Sequence, residues 1–240
     1  MKTTTYLRIL FLGGFFIQGS AFAQTYPVYL CGTATVTLKP TNVTITGEQI
    51  VWVETTTGSD VPVQSGTTQN YTTPTNLSVG EHSYKVYLVS AAPNSCPGDA
   101  STVYKIYKLP TSTLTLAGAS LPRYCENSGS NSTMVATSAP AAGQSLPTGV
   151  GYAYTWTATK DGASIASSSV GSNATSAFTN TFTVNTTTTG TYVLSVAANY
   201  TVPTGSTLKS SDSAGCSVTA TGTNTITVAP KPGQPTIDFQ

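Results

Sequence analysis

The sequence predicts an all-β protein built from two tandem β-sandwiches. Its 240 residues include 46 Thr and 27 Ser, together with 21 Gly and 14 Pro, a composition that favours strands and turns over long helices. Apolar and polar residues alternate with period two in many short runs, and no run has the helical period. One pattern of residues also occurs twice along the chain, which predicts two units of the same kind.

The alternation identifies individual strands and their buried faces. Ala34, Val36 and Leu38 share one face of a predicted strand, and the residues between them are all Thr. Because one face of a sandwich sheet meets the core, we expect these three apolar side chains to point inward. Trp52 lies mid-strand between Val51 and Val53, and Trp156 shares a strand face with Tyr154 and Ala158. We therefore expect both tryptophans to pack in the centres of the two cores.

Tyr84 and Tyr192 stand at equivalent places in the two copies. Each begins a predicted strand just after a turn, and the turns contain Gly80 and Gly190. In sandwich folds a tyrosine at such a place often forms a tyrosine corner, in which its hydroxyl bonds to the backbone a few residues upstream. We therefore expect both tyrosines to belong to the core.

The duplicated pattern runs Cys, Trp, glycine-containing turn, Tyr, Cys, closing strand and Pro. The Trp-to-Tyr distances in the two copies are 32 and 36 residues, whereas the Cys-to-Cys distances are 65 and 91 residues. We therefore expect insertions in the loops of the second copy. The predicted boundaries are residues 24–110 for the first sandwich, 111–230 for the second and 231–240 for a C-terminal tail.

The segment 1–23 has the pattern of a secretory signal peptide. Lys2 and Arg8 form a basic start, residues 9–17 form a short apolar core, and Ala21-Phe22-Ala23 places small residues where a signal peptidase cuts. This apolar run is too short to span a bilayer, which needs about 20 residues. We expect cleavage before Gln24 and an exported chain without a membrane span, located outside the cell, at its surface or in the periplasm.

Four cysteines in an exported chain predict two disulfide bridges, because thiols oxidise and stay oxidised outside the cytoplasm. Three pairings are possible, and the duplication favours one bridge in each copy, Cys31–Cys96 and Cys125–Cys216. A zinc site is the alternative, but the sequence has no Cys-x-x-Cys spacing and its single histidine is far from every cysteine. A bridge between the copies would contradict the prediction of two separate domains.

Several of these elements together resemble the Ig-like or PKD-like repeats of exported Bacteroidetes proteins. The matching elements are residues 31–38, 154–156, 190–196, 215–220 and 226–230. The resemblance implies two tandem Ig-like sandwiches, each with one internal disulfide, in a protein that acts as a spacer, an adhesive module or an appendage to an enzyme. Asp212-Ser213-Ala214 also resembles the short acceptor motif for O-glycosylation in Bacteroidetes.

The residues that catalysis needs are scarce. Charged residues make up 8% of the chain, and His82 is the only histidine. We expect His82 to be solvated in a polar turn, and the nine acidic residues are scattered over turns rather than paired. No hydrolase elbow, calcium loop or phosphate-binding loop is present. We expect no enzyme activity, no cofactor and no metal, and the net charge of +1 argues against nucleic acid as a partner.

Two functions from different classes remain. The first is a non-catalytic secreted or cell-surface module for adhesion, for protein–protein interaction or as a structural spacer. The alternative is a carbohydrate-binding module, because sugars stack on exposed aromatic rings and Tyr87, Tyr104 and Tyr107 lie on late strands of the first copy. A flat, exposed trio of these rings would favour a glycan partner. Burial or scattering of the rings would favour an extracellular protein.

Overall fold

A computed structural model describes residues 24–41, 43–90, 96–211 and 216–238 of the chain. The predicted signal peptide (residues 1–23) and the Asp212-Ser213-Ala214 motif lie outside the described residues. Within them the chain forms eighteen β-strands and one short 3-10 helix, Ser167–Ser169. The predicted all-β class is therefore confirmed.

We call residues 24–110 the first half and residues 111–230 the second half, following the sequence repeat. The strands of the first half are β1 (Val28–Cys31), β2 (Thr37–Leu38), β3 (Glu48–Glu54), β4 (Val61–Gly66), β5 (Tyr71–Thr72), β6 (Gly80–Ser90) and β7 (Tyr104–Lys108). The strands of the second half are β8 (Ser112–Leu116), β9 (Arg123–Cys125), β10 (Ser132–Pro140), β11 (Gly151–Lys160), β12 (Ala163–Ile165), β13 (Gly171–Ser176), β14 (Thr179–Val184), β15 (Gly190–Thr201), β16 (Thr207–Ser210), β17 (Val218–Thr219) and β18 (Asn224–Ala229).

The main sheet of the first half has six strands in the order β16-β1-β7-β6-β3-β4. Its inner face follows the predicted alternation, since Tyr84 and Val86 are buried while Lys85 and Tyr87 beside them are half-buried. The layer that faces this sheet is small, because β2 and β5 pair through only two residues each. Ala34, Val36 and Leu38 of this layer are buried, as their alternation predicts.

The second half forms a fuller sandwich of two sheets. One has the strand order β13-β14-β10-β8, and the other has the order β12-β11-β15-β18-β9, with β17 also paired to β15. The strands β11 and β15 pair continuously from Gly151 opposite Thr201 to Lys160 opposite Tyr192. Met134, Phe182 and Leu194 fill the space between the sheets and are at most 1% exposed.

Two hydrophobic clusters occupy the interior. The smaller cluster lies within the first half and includes Leu30, Trp52 and Ile106. The larger cluster lies mainly in the second half, but it also contains four residues of the first half: Tyr26, Tyr29, Cys31 and Leu109. Successive residues of β1 therefore contribute to different clusters, because successive side chains of a strand point to opposite faces of its sheet.

The two tryptophans and the two tyrosines predicted for the core are all buried. The Trp52 indole N–H donates to the Gln69 carbonyl at 3.0 Å, and the Trp156 indole N–H donates to Asn180 Oδ1 at 2.7 Å. The Tyr192 hydroxyl donates to the Thr188 carbonyl at 2.7 Å, which is the tyrosine-corner bond. The buried Tyr84 hydroxyl makes no hydrogen bond of that kind to the described backbone.

The predicted pairing of one bridge in each copy is wrong. Cys31 is bonded to Cys216, with their Cα atoms 6.1 Å apart, while Cys96 and Cys125 are free and exposed. The duplication identifies equivalent cysteines, but which cysteines meet depends on the order of strands in the sheet. Gly32 follows the bridge with a φ of 59°, a left-handed backbone that favours glycine, and a Cβ there would also displace the Ser211 hydroxyl.

The insertion in the second copy explains the bridge. The segment from Tyr192 to Cys216 is twice as long as the equivalent segment from Tyr84 to Cys96. The added residues do not form only a loop, as expected, but also the strand β16, which follows β15 through a turn and joins a different sheet. The strand β16 pairs in parallel with β1, so that Ser210 lies opposite Cys31. The halves therefore share one sheet and one covalent bond, and the boundary near residue 110 stays a prediction.

Candidate functional site

An apolar groove of about 570 Å³ opens in the first half. It lies between the inner face of the six-stranded sheet and residues 36–41 and 43. The apolar side chains that line it are Val36, Leu38, Ile50, Trp52, Val86 and Leu88. A groove of this size and character is a typical place for a ligand on a protein surface, and we take it as the candidate site.

The opening follows from the short second layer. Each strand of that layer ends close to a proline: Pro40 follows β2, and Pro74 follows β5. Proline has no N–H to donate to a β-ladder, so the two-stranded pairing does not extend past these positions. Trp52 stacks on Tyr71 of β5 with ring centroids 6.0 Å apart. The Tyr71 ring therefore covers the groove-lining Trp52 on the side of β5. No further strand among the described residues covers the remainder of the inner face, although Ile50 and Trp52 on it are buried.

The rim of the groove is polar and close to neutral. It carries one cation, Lys39, and one anion, Asp99, beside the hydroxyls of Ser101, Thr102 and Tyr104. The wall on this side is held by backbone bonding to β6: the Ser101 N–H donates to the Val86 carbonyl at 2.8 Å. The Ser101 hydroxyl in turn accepts from the Val86 N–H at 3.0 Å. The rim therefore has fixed geometry and no strong charge preference.

The three tyrosines proposed for glycan binding do not share one surface. Tyr104 lies opposite Tyr84 in the sheet, so it shares the inner face and borders the groove, where it is 38% exposed. Tyr107 and Tyr87 lie three residues beyond these partners, so their side chains alternate to the outer face, although Tyr87 also contributes atoms to the groove lining. They are also far apart, because Tyr107 is opposite Glu81, six residues from Tyr87 along β6 and thus roughly 20 Å away.

Tyr107 takes part in an aromatic cluster behind the first-half sheet. Its ring lies 5.0 Å from that of Tyr26, which also contacts Tyr29 at 5.7 Å. Glu81 accepts the Tyr26 hydroxyl at 2.9 Å and pairs with Lys105 at 2.7 Å. Burial alone would raise the pKa of Glu81, but these bonds, with one from a nearby serine, hold that pKa below its ordinary value. The cluster anchors the chain close to its predicted mature N-terminus.

The expectation that His82 is solvated is wrong. His82 is 5% exposed, with Nδ1 2.7 Å from Glu54 Oε1 and Nε2 2.8 Å from the Ser78 carbonyl oxygen. Because a carbonyl oxygen only accepts, Nε2 carries a proton that it donates to Ser78. Nδ1 thus joins the start of β6 to the end of β3, and Nε2 joins it to the segment just before β6. The sequence concealed this role because Glu54 belongs to a different strand, far from His82 along the chain.

The described part of the chain contains no group of three or more His, Cys, Asp or Glu residues placed to hold a metal ion. Nor does this described part contain a helix with the length and apolar character needed to cross a membrane. The groove was not predicted from the sequence. The available signals were the two prolines and the shorter Cys-to-Cys distance of the first copy, which leaves fewer residues for a second layer.

No protein-family model matches the chain, and no curated protein is significantly similar to it. Several solved structures resemble it at low identity. An I-band fragment of titin is 12% identical over 86% of this chain and 64% of the titin chain, with a TM-score of 0.49. Fibronectin(III)-like modules of Clostridium thermocellum CbhA are 13% identical over 91% of this chain and 98% of theirs, with a TM-score of 0.40.

The three N-terminal domains of the outer capsid protein Hoc from bacteriophage RB49 are 11% identical over 84% of this chain and 67% of theirs, with a TM-score of 0.48. This chain spans less than two thirds of the titin fragment. The likeness to all three structures is confined to the fold.

Proposed function

We propose that the chain is a non-catalytic, exported module of Ig-like type that binds another protein through the groove of the first half. The proposed occupant is an extended polypeptide segment with apolar side chains at alternate positions. The observation that carries this proposal is the difference between the halves. A four-stranded sheet covers the inner face of the second half, while only two short strands cover the inner face of the first.

The second half indicates what fits over such a face. Its covering strands present Met134 and Ala136 from β10, and Phe182 and Val184 from β14, all at most 1% exposed. Each pair is two residues apart, which is the spacing of side chains on one face of a strand. Phe182 packs against Trp156 with ring centroids 5.0 Å apart. A strand with the same alternation would cover the equivalent tryptophan and its neighbours in the groove.

The rim supports an uncharged occupant. Lys39 and Asp99 carry opposite charges at its edge, so neither an acidic nor a basic segment gains a net attraction. The hydroxyls of the rim can donate to and accept from the backbone of an extended peptide. Apolar contact on the groove floor would then supply most of the affinity.

Selection from a phage-displayed library of random dodecapeptides tests this proposal. We expect the oxidised chain to enrich peptides with alternating apolar residues. Two variants should weaken their binding at least tenfold: Leu88→Arg, which places a charge on the floor, and Thr41→Trp, which fills the groove from an exposed position. The matched control is Val61→Lys, because Val61 is apolar, 52% exposed and outside the groove.

Two results would contradict the proposal. Equal binding of the selected peptides to the chain and to a folded Thr41→Trp variant would place their site elsewhere. Absence of enrichment, together with binding to a glycan array that Tyr104→Ala abolishes, would favour the carbohydrate-binding alternative, with its site at the groove rim rather than on three coplanar rings.

Export through a cleaved signal peptide is the second element of the proposal. The disulfide between Cys31 and Cys216 supports it, because disulfides persist in oxidising compartments and are rare in the cytoplasm. Amino-terminal analysis of the protein from its native host should find Gln24 as the first residue. A chain that retains residues 1–23 would contradict this element without affecting the groove.

A further inference from the structure

The disulfide closes a covalent loop around almost all of the folded chain. Cys31 and Cys216 are 185 residues apart in sequence, so the loop encloses residues 32–215. Both hydrophobic clusters lie mostly inside it, and the whole lining of the groove does, from Val36 to Tyr104. Two short parts of the fold lie outside: the strand β1 that leads to Cys31, and the strands β17 and β18 that follow Cys216.

This arrangement determines the path of a force applied between the two ends of the chain. Tension from the N-terminal side runs along β1 to Cys31, crosses the disulfide to Cys216, and leaves through β17 and β18. A covalent bond between two points prevents their separation, so the chain between them, residues 32–215, cannot be pulled out end to end. The tension loads the enclosed strands only where β1, β17 and β18 pair with them.

We infer that the chain is a tension-transmitting link, in which the Cys31–Cys216 bond carries the force and keeps the groove folded while the ends are pulled. This function goes beyond binding and does not depend on what the groove holds. It would suit a segment held at both ends in a larger extracellular assembly, where an intact binding surface must be kept under load.

Noncovalent contacts near the Cys31–Cys216 disulfide also hold the strands through which the tension enters and leaves. The strand β1 is paired in parallel on both sides, with β7 and with β16. The Lys108 ammonium donates to the Gly32 carbonyl, and the Thr33 N–H donates to Ser211 Oγ at 3.1 Å. At the other end, β18 lies between β15 and β9. The strands that lead into and out of the bond, β1 and β18, are therefore each held by a strand on either side.

Single-molecule force spectroscopy on the full chain, held at its two ends, tests the inference. Reduction of the bond frees residues 32–215 to extend, and at about 3.4 Å per residue this adds roughly 60–65 nm to the stretched length. We expect the fully stretched oxidised chain to be shorter than the reduced chain by this amount. The variant Cys31→Ser should reach the full length without any reductant.

The free cysteines supply the control. We expect Cys96→Ser to leave the stretched length of the oxidised chain unchanged. If the bridges instead lie within each copy, Cys96→Ser would open a loop of residues 32–95 and lengthen the oxidised chain by roughly 22 nm. That lengthening, or an equal stretched length for the oxidised chain and the Cys31→Ser variant, would overturn the inference.

Discussion

The two halves of this protein share one order of elements but close their cores differently. In the second half, two extended sheets enclose Trp156, whose indole N–H bonds to the buried Asn180. In the first half, Trp52 lies on the floor of an open groove, opposite two strands of two residues each. A repeated pattern of key residues therefore defines where strands and core residues lie, but the segments between them decide whether the sandwich is covered.

A second difference concerns how the halves depend on each other. The second half contributes β16 to the main sheet of the first, whereas no described strand of the first half joins a sheet of the second. The first half in turn contributes Tyr29 and Leu109 to the larger cluster. The following predictions test these differences, from the largest expected effect to the smallest.

The bond between the halves should make the largest single contribution to stability. Cys31→Ser removes a closure of 185 residues, which on the chain-entropy model lowers the free energy of unfolding by about 5 kcal/mol. Denaturant titration measures this loss, and Cys125→Ser is the matched control because Cys125 is a free, exposed thiol. An equally large loss of unfolding free energy in Cys125→Ser would instead indicate one disulfide within each half, with no covalent bond between the halves.

Replacing each tryptophan with alanine should lower stability by different amounts in the two halves, because the core of the second half is closed and that of the first half borders a groove. Trp156→Ala should cost about 3–5 kcal/mol, because the surrounding sheets cannot collapse into the space. Trp52→Ala should cost less, because the space it leaves joins an existing groove and adds a smaller cavity penalty. Unfolding in urea gives both values. Equal losses would show that the groove floor is as rigidly packed as the closed core.

Alkaline pH should destabilise both halves through buried tyrosines. Burial raises the pKa of Tyr84 in the first half and of Tyr152 in the second. Unfolded tyrosine ionises near pH 10, so above this pH the unfolded state binds fewer protons and stability falls, by at most about 1.4 kcal/mol per pH unit for each tyrosine. Thermal melts between pH 9 and 11 test this.

The matched variants for the alkaline prediction are Tyr84→Phe and Tyr152→Phe. Each should make the fall in melting temperature between pH 9 and 11 shallower, because phenylalanine keeps the ring but has no proton to lose. A slope that neither variant changes would assign the alkaline transition to other groups.

Surface ion pairs should contribute least to the free energy of unfolding. Their contribution should distinguish the halves only through its dependence on salt concentration. The two lysine–carboxylate ion pairs found among the described residues lie in the first half, as does the His82–Glu54 contact. The Lys85–Asp60 pair is 2.7 Å long, with Asp60 48% exposed, so Asp60→Asn should change stability by less than about 1 kcal/mol. The small difference, measured by denaturant titration, should shrink further at high salt. A larger change would mean that Asp60 does more than pair with Lys85.

Much of the fold was predictable because its signals are local. The alternation around Val36, Val86 and Leu194 identifies strands and their buried faces, since side chains of a strand alternate between its two faces. The positions of the two tryptophans follow from the same pattern. The candidate site was less predictable: Tyr104 was singled out and borders the groove, but Tyr107 was grouped with it and lies on the opposite face.

The sequence by itself therefore determined the all-β class, the inward faces of the strands and the two places where a core forms. Only the tertiary structure decided that Cys31 meets Cys216, that His82 is buried against Glu54, and that one inner face stays open. The physical reason is that each of these depends on which strands become neighbours. Neighbours in a sheet are chosen by contacts between residues that are distant in the chain, such as Cys31 and Ser210, and no local pattern encodes them.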